Sequence, residues 1–324
     1  MAAAAVALST SWVMVSRLER VGERLGLSEA LLGLAVALAA DAPEITSAAT
    51  AVVRHQHTVG AGVVLGSGPF NLAALLGLGA AAAGRIRLHR KVVLLGGAVA
   101  IWTGGAALVT VRADVAPGAG LALALVVLLA YVVVLGFGGR GRRLPLPPLL
   151  ADWLLAAAAE EEAEMEEGVL GSPGTRSDGV VAAVALVVVV VASVLMEQSA
   201  TSLGHRYSVP DIVIGALVLG GVTSLPNAVS AIYLVRRGRG AASFSSALNS
   251  NNFNVAVGLL IPATVVGLGR PSGQSELVAV WGLVLTALTV ACAYRDRGLT
   301  RVTGVLIVVG YVGFAASVVV SGLS

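Results

Sequence analysis

The 324-residue chain is 57% hydrophobic and only 12% charged, with net charge +3 and mean hydropathy +0.90. Soluble domains carry about 25% charged residues, so this composition excludes an ordinary soluble enzyme and requires most side chains to face lipid or other helices. The isoelectric point near 9.4 does not indicate nucleic acid, because the arginines sit in short loops between apolar runs. A single cysteine, Cys292, leaves no intramolecular disulfide or cysteine metal cluster, and it is read as packing.

Apolar runs long enough to cross a bilayer, which needs roughly 20 residues, recur along the chain. The predicted spans are 2–16, 28–53, 59–83, 91–111, 118–138, 180–203, 209–235, 243–268, 275–294 and 300–322. The first run is short and lacks the basic n-region of a secretory signal, so it is read as a first helix that is truncated or whose start is placed too late. The 40 glycines suit helices whose backbones approach closely. Single spacings such as Gly62 to Gly66 are weak evidence for this by themselves.

Charge placement tests the count of ten independently, because Lys and Arg gather in cytoplasmic loops. Of the 21 basic residues, 17 fall in loops after odd-numbered spans, leaving only Arg54, Arg112, Arg206 and Arg270 in the others. The odd loops are therefore expected to be cytoplasmic and both termini outside. This gives an all-α integral membrane fold with a first five-helix half at 1–138, a linker at 139–179 and a second half at 180–324. The linker carries Pro145, Pro147 and Pro148 and an acidic run, Glu160 to Glu162 with Glu164, Glu166 and Glu167. That run is either a cation sensor or a solvated charged segment, and the second reading is preferred.

Two stretches are related by a constant offset. Pro43 and Pro226, Ser67 and Ser250, Phe70 and Phe253, and Asn71 and Asn254 are each 183 residues apart. Five spans separate equivalent points, so the second copy must enter the membrane in the opposite direction, as an inverted-topology repeat. Each copy places a proline inside a span, where it removes a backbone hydrogen bond and breaks the helix. Broken helices at membrane depth line cavities, and their freed ends can bind ions.

By residue count, Asp41 and Ser224, like Asn71 and Asn254, fall near mid-span. Ionised carboxylates there cost several kcal/mol or more, and no basic residue lies at that depth to offset Asp41 and Glu44. A bound cation is the natural partner. Oxygen ligands of this kind suit Na+, Ca2+ or H+ better than soft metals. The candidate ligands are Asp41, Glu44, Ser67, Asn71, Thr223, Ser224, Asn227, Ser250 and Asn254. Alternatively, Asp41-x-x-Glu44 and Ser224-x-x-Asn227 are capping boxes of the half-helices, and the hydroxyls and amides make interhelical hydrogen bonds. Glu197 is expected to snorkel from the outer end of the sixth span, with a place on an access path as the alternative, and His55 and His57 to lie in a solvated outer loop rather than to sense metal or protons.

At these motifs the chain resembles the sodium/calcium exchanger superfamily, the Ca2+:cation antiporters, whose two inverted repeats carry Gly-Thr-Ser-Leu-Pro-Glu and Gly-Ser-Asn-Ile-Phe-Asn patterns. The match is best in Thr223-Ser224-Leu225-Pro226. The resemblance implies ten helices, external termini and a cytoplasmic middle loop, with ion ligands at the nine positions above and at Ala40. It departs from the family pattern at Asn227, where an acid is usual, and at Ala40-Asp41, where a Thr-Ser pair is usual. Two carboxylates remain, but both stand in the first half. The expected function is a secondary antiporter exchanging Ca2+ or a similar cation against Na+ or H+, with a cation sensor lacking flux as the alternative. No cofactor or nucleic acid is implied, only a bilayer and transiently bound cations, and nothing in the chain resembles an enzyme's nucleophile, phosphate loop or metal cluster.

Overall fold

The computed structural model describes residues 2–25, 35, 37–138, 146–166, 175–225, 227–228, 235 and 240–323. The start of the second expected span, Pro226 with most of the end of the seventh, and Glu167 of the acidic run lie outside these residues.

In chain order the elements are α1 (Ala2–Leu25), α2 (Ala42–Val53), α3 (His57–Ala83), β1 (Arg85–Arg87), α4 (Arg90–Val111), α5 (Pro117–Gly138) and α6 (Pro148–Glu166). They continue with α7 (Arg176–Arg206), α8 (Asp211–Thr223), α9 (240–266), α10 (Gly273–Asp296), β2 (Gly298–Thr300) and α11 (Arg301–Leu323). Even the β-branched run Val187 to Val191 is helical. A helix is the one single-segment structure that satisfies every backbone polar group without water, and that need overrides the strand preference of valine. Among the described residues six helices are long and apolar enough to cross a membrane: α3, α4, α5, α7, α10 and α11.

Three expectations change in detail. The first helix runs 24 residues rather than ending near residue 16, because Ser16 to Leu25 continue it as a polar extension. The linker contains α6, whose alanines Ala151, Ala157 and Ala158 are buried among α4, α5 and α9, and Lys91 pairs with Glu160 at 3.0 Å. The chain is also not purely helical, since β1 and β2 pair antiparallel with Ile86 opposite Leu299. Gly298, at φ +137°, makes that pairing possible, because a Cβ there would fall 1.9 Å from the Ile86 carbonyl oxygen.

Burial ranks the helices. The apolar stretch of α3 is 94% buried, against 28% for α11 and 33% for α7, so α3 is central and the others are peripheral. Around it stand α2, α8 and α9, flanked by α4, α5, α10 and α11. α1 lies along α7 and meets the remainder mainly through α2, as does α7, which also touches α8. The outer faces carry exposed stripes such as Val180, Val184, Val187, Val191 and Leu195 of α7, too apolar for contact with water.

α3 crosses α8 backbone against backbone. A Cβ on Gly66 would sit 2.4 Å from Ala216 Cα and 2.5 Å from its carbonyl oxygen, and one on Gly215 would sit 2.4 Å from the Val59 carbonyl oxygen. The Gly62–Gly66 spacing is thus a helix crossing, where small residues replace the missing hydrophobic force with close packing. Gly66→Ala is expected to lower stability by about 1–3 kcal/mol through overpacking. Gly105→Ala, with nothing within 4 Å of its new methyl, is expected to be neutral or mildly stabilising; thermal unfolding in detergent measures both.

Candidate ion site

Asp41 stands at a one-residue interruption between the helical residues 37–40 and α2, with Pro43 in the first turn beyond it. Backbone bonds bracket the break, from Asp41 N to the Ala37 carbonyl (3.0 Å) and from Ile45 N to the Asp41 carbonyl (2.9 Å). The capping-box reading fails, because the Asp41 side chain makes no bond to the start of α2. Its Oδ1 instead accepts from Asn227 Nδ2 at 2.8 Å and from Ser250 Oγ at 2.7 Å. One turn on, Glu44 Oε1 accepts from Ser224 Oγ and Oε2 from Asn254 Nδ2. Each acid of the first half is therefore held by two donors of the second.

Ser224 caps the end of α8, and its single hydroxyl proton is shared between Glu44 and the Gly220 carbonyl 2.7 Å away. Ser67, on α3, lies beside Glu44 while donating to the Val64 carbonyl at 2.9 Å. Asn71 Nδ2 reaches Ser250 Oγ at 3.2 Å and Asn251 Oδ1 at 3.1 Å. All nine expected residues are buried, and eight of them form this one cluster. Thr223 is the exception in orientation, since its hydroxyl turns back to the Leu219 carbonyl at 2.8 Å.

Immediately after Asn71 and again from Asn254, the helices loosen into π-helical turns, Leu72–Gly77 and Asn254–Leu260. Such turns interrupt regular bonding and are frequent at functional sites. Their matched placement beside the paired asparagines is a structural echo of the 183-residue offset. Asn251 was not picked out by that offset, yet it ties Asn71 to α9 and donates to the Gly68 carbonyl at 3.4 Å; the run Asn249 to Asn252 was its only signal.

The cluster is lopsided in charge. Two carboxylates face hydroxyls and amides, no described basic side chain bonds either of them, and three buried oxygens have no hydrogen-bond partner: Asp41 Oδ2, Asn71 Oδ1 and Asn254 Oδ1. Among the described residues no group of three or more His, Cys, Asp or Glu could hold a metal. A site here must be built from two acids completed by neutral oxygens, the donor set of a hard cation.

Two further expectations are corrected. Glu197 does not snorkel; it is fully buried within the α7 seam, where packing by α1 and α2 closes the way to the interface. His57 opens α3 half-buried, with Nδ1 lacking a partner, so only His55 is a solvated loop residue.

Apolar helices wrapped round a buried, acid-containing polar centre define an integral membrane protein of the ion-transporting class. More particularly, the chain belongs to the sodium/calcium exchanger protein family, whose model matches residues 1–138 and 179–320. Members of this family are transporters, not enzymes. The chain is 30% identical over 135 residues to sodium/potassium/calcium exchanger 4 of Mus musculus, a stretch covering 39% of this chain and 22% of that protein. It thus spans about a fifth of that relative's length. Among solved structures, the H+/Ca2+ exchanger CAX superimposes with TM-score 0.71 at 13% identity, over 99% of this chain and 85% of that one. The sodium-calcium exchanger NCX_Mj superimposes with TM-score 0.59 at 18% identity, over 97% and 96%. These likenesses establish the exchanger fold.

In chelator at neutral pH, Ser250→Ala is expected to lower stability by about 1–3 kcal/mol, since it strips a donor from buried Asp41. Thr223→Val, which loses only a bond within its own helix, is expected to cost about 1 kcal/mol or less. Thermal unfolding of both variants in detergent separates the two cases.

Proposed function

We propose that this chain is a secondary antiporter in which Ca2+, or a similar cation, and Na+ or H+ compete for the centre formed by Asp41, Glu44, Ser67, Asn71, Ser224, Asn227, Ser250 and Asn254, with Thr223 beside it. The observation that carries the reading is the pair of buried carboxylates that, among the described residues, have no basic partner and are held by neutral donors. Buried uncompensated charge is strongly unfavourable. One Ca2+ or two monovalent cations would cancel it, and the two cannot be present together, so occupancy couples the fluxes.

Ca2+ takes six to eight oxygens. Four carboxylate oxygens, the hydroxyls of Ser67, Ser224 and Ser250, and the unpartnered Asn71 Oδ1 and Asn254 Oδ1 are enough in number. Asn227 and Asn254 present their NH2 groups to the acids. A half-turn of either amide presents oxygen instead, and the two atoms are interchangeable in shape. The hydrogen-bonded arrangement therefore suits a centre whose acids are held without a metal, and amide rotation suits a loaded one.

In this reading the ten spans form two inverted five-helix repeats, the centre lies at mid-membrane, and the odd loops and the linker are cytoplasmic. The α1–α7 pair is laid against the rest chiefly through α2 and α8, which suits it to slide and expose the centre to each side in turn. Differential affinity of the inward and outward states for the bound ions drives that shift. The similar structures are an H+/Ca2+ exchanger and a sodium-calcium exchanger, which agrees with Ca2+ as one ion and leaves Na+ and H+ as competitors for the other role.

A second reading, a cation sensor without flux, has one observation in its favour: Asn227 replaces an acid with an amide that satisfies Asp41 from within the protein. Protein reconstituted in liposomes with a Ca2+ indicator inside distinguishes them. An imposed Na+ or H+ gradient is expected to drive Ca2+ movement, and Glu44→Gln to reduce it more than tenfold. Gradient-independent Ca2+ levels with intact Ca2+ binding would favour the sensor, and full activity in Glu44→Gln would overturn the assignment of the centre.

A further inference from the structure

A third buried carboxylate lies outside the centre. Glu197 of α7 is fully buried; its Oε1 accepts from the Thr201 hydroxyl at 3.1 Å, and its Oε2 is buried with no hydrogen-bond partner. One turn toward the middle of α7, Ser193 also has a buried hydroxyl without a partner. Its backbone carbonyl accepts from Ser47 Oγ of α2 at 3.4 Å, and Ser47 lies one turn beyond Glu44. α2 and α7 leave the centre in the same direction, with Ala42 packed near Ala185 and Val189, and Ser47 level with Ser193. Glu44, Ser47, Ser193, Glu197 and Thr201 therefore ascend one seam, from the centre toward the end of α2.

The seam is polar but narrow. Ala51 of α2 and Met196 of α7 are buried apolar neighbours in sequence of its polar residues, and among the described side chains Glu197, Thr201 and Ser193 supply one carboxylate and two hydroxyls. A dehydrated Ca2+ requires six to eight oxygens, which this set does not reach, whereas a proton requires one free oxygen. Among the described side chains, the titratable and charged groups on elements packed against α7 are Glu44 and Arg54 of α2, Arg17, Arg20 and Arg24 at the far end of α1, and Asp211 at the start of α8. Asp211 is paired with His205 at 3.0 Å, and Arg17 and Arg20 lie by Asp178, at 2.7 and 3.7 Å. Arg54, exposed just beyond α2, stands at the end toward which the seam ascends.

We propose that Glu197 is a proton-exchange station on the outer access seam, making H+ a coupling ion of the exchanger. The inference rests on the antiport reading and adds the identity and route of one coupled ion. External hydronium gives its proton to Glu197 Oε2 and becomes water. Glu197 then re-ionises as the proton passes to ionised Glu44 of the centre, through water admitted beside Ser193 and Ser47 when the α1–α7 pair slides, so each passage returns Glu197 to its starting state with no other reactant consumed.

The test compares two Ca2+ fluxes in the same proteoliposomes: Ca2+ movement driven by a pH gradient, and Ca2+ self-exchange, which needs no proton. Glu197→Gln is expected to lower the driven flux more than tenfold relative to self-exchange, and Glu197→Asp to restore most of it. Should Gln at 197 prevent folding, Ser193→Ala removes a hydroxyl that has no partner to lose and so spares the fold; a driven flux at least threefold lower relative to self-exchange is expected. A proportionate fall in both fluxes, an unchanged ratio in the variants, or a raised external KM for Ca2+ with an unaltered pH dependence would overturn the proton role. Wild-type protein that self-exchanges Ca2+ but ignores the pH gradient would overturn it while leaving the antiport reading intact. Wild-type protein with no Ca2+ flux at all would overturn both.

Discussion

Two carboxylates, Asp41 and Glu44, are buried among apolar helices, and no basic side chain among the described residues bonds to them. An ionised acid in such surroundings is tolerable only when hydrogen-bonded and balanced by opposite charge. The protein supplies the hydrogen bonds and withholds the charge. Two of the four donors come from the end of α8 and just beyond it, and two from α9, so the acids of α2 dock the two halves of the chain to one another. In the proposed antiport, a mobile cation that fills the remaining need turns a structural liability into a binding site.

The packing around the centre follows from that arrangement. Four helices must converge closely enough for short side chains such as Ser224 and Ser250 to reach acids on a neighbour. Glycine at Gly62, Gly66, Gly215 and Gly220 lets α3 and α8 cross with backbones in contact, and the π-helical turns after Asn71 and from Asn254 let both helices run on past the site without regular bonding. The α1–α7 pair stays outside this tight core, tied at one end by Arg17 and Asp178 at 2.7 Å, with Thr175 and Asp178 capping α7. A rigid centre beside a separately packed pair is the division that alternating access requires.

Much of the site was legible because polar residues in an apolar chain are conspicuous and the 183-residue offset marked equivalents. Eight of the nine residues so identified meet in one cluster. Pairing was less legible: position left a helix cap open as the alternative to an ion ligand at Asp41, whereas its carboxyl crosses to Asn227 and Ser250 in the second half of the chain. Glu197 was misread for a related reason. Distance along a helix does not reveal which face a neighbouring helix covers, and α2 with α1 closes over that carboxylate. In the fold, helix positions followed hydropathy, while the polar extension of α1 and the strand pair at Ile86 and Leu299 carried no apolar signal. Pro226 and Glu167 lie outside the described residues, so the second helix break and the end of the acidic run stand as sequence expectations.

Mutual exclusion at one centre is the claim from which the rest follows, and equilibrium Ca2+ titration of purified protein at several Na+ concentrations and pH values tests it most directly. The apparent Kd for Ca2+ is expected to rise with Na+ or with H+, at constant binding stoichiometry, and binding is expected to vanish in the Asp41→Asn, Glu44→Gln double variant. Ca2+ binding that is indifferent to both competitors, or that survives the loss of both acids, would contradict the account.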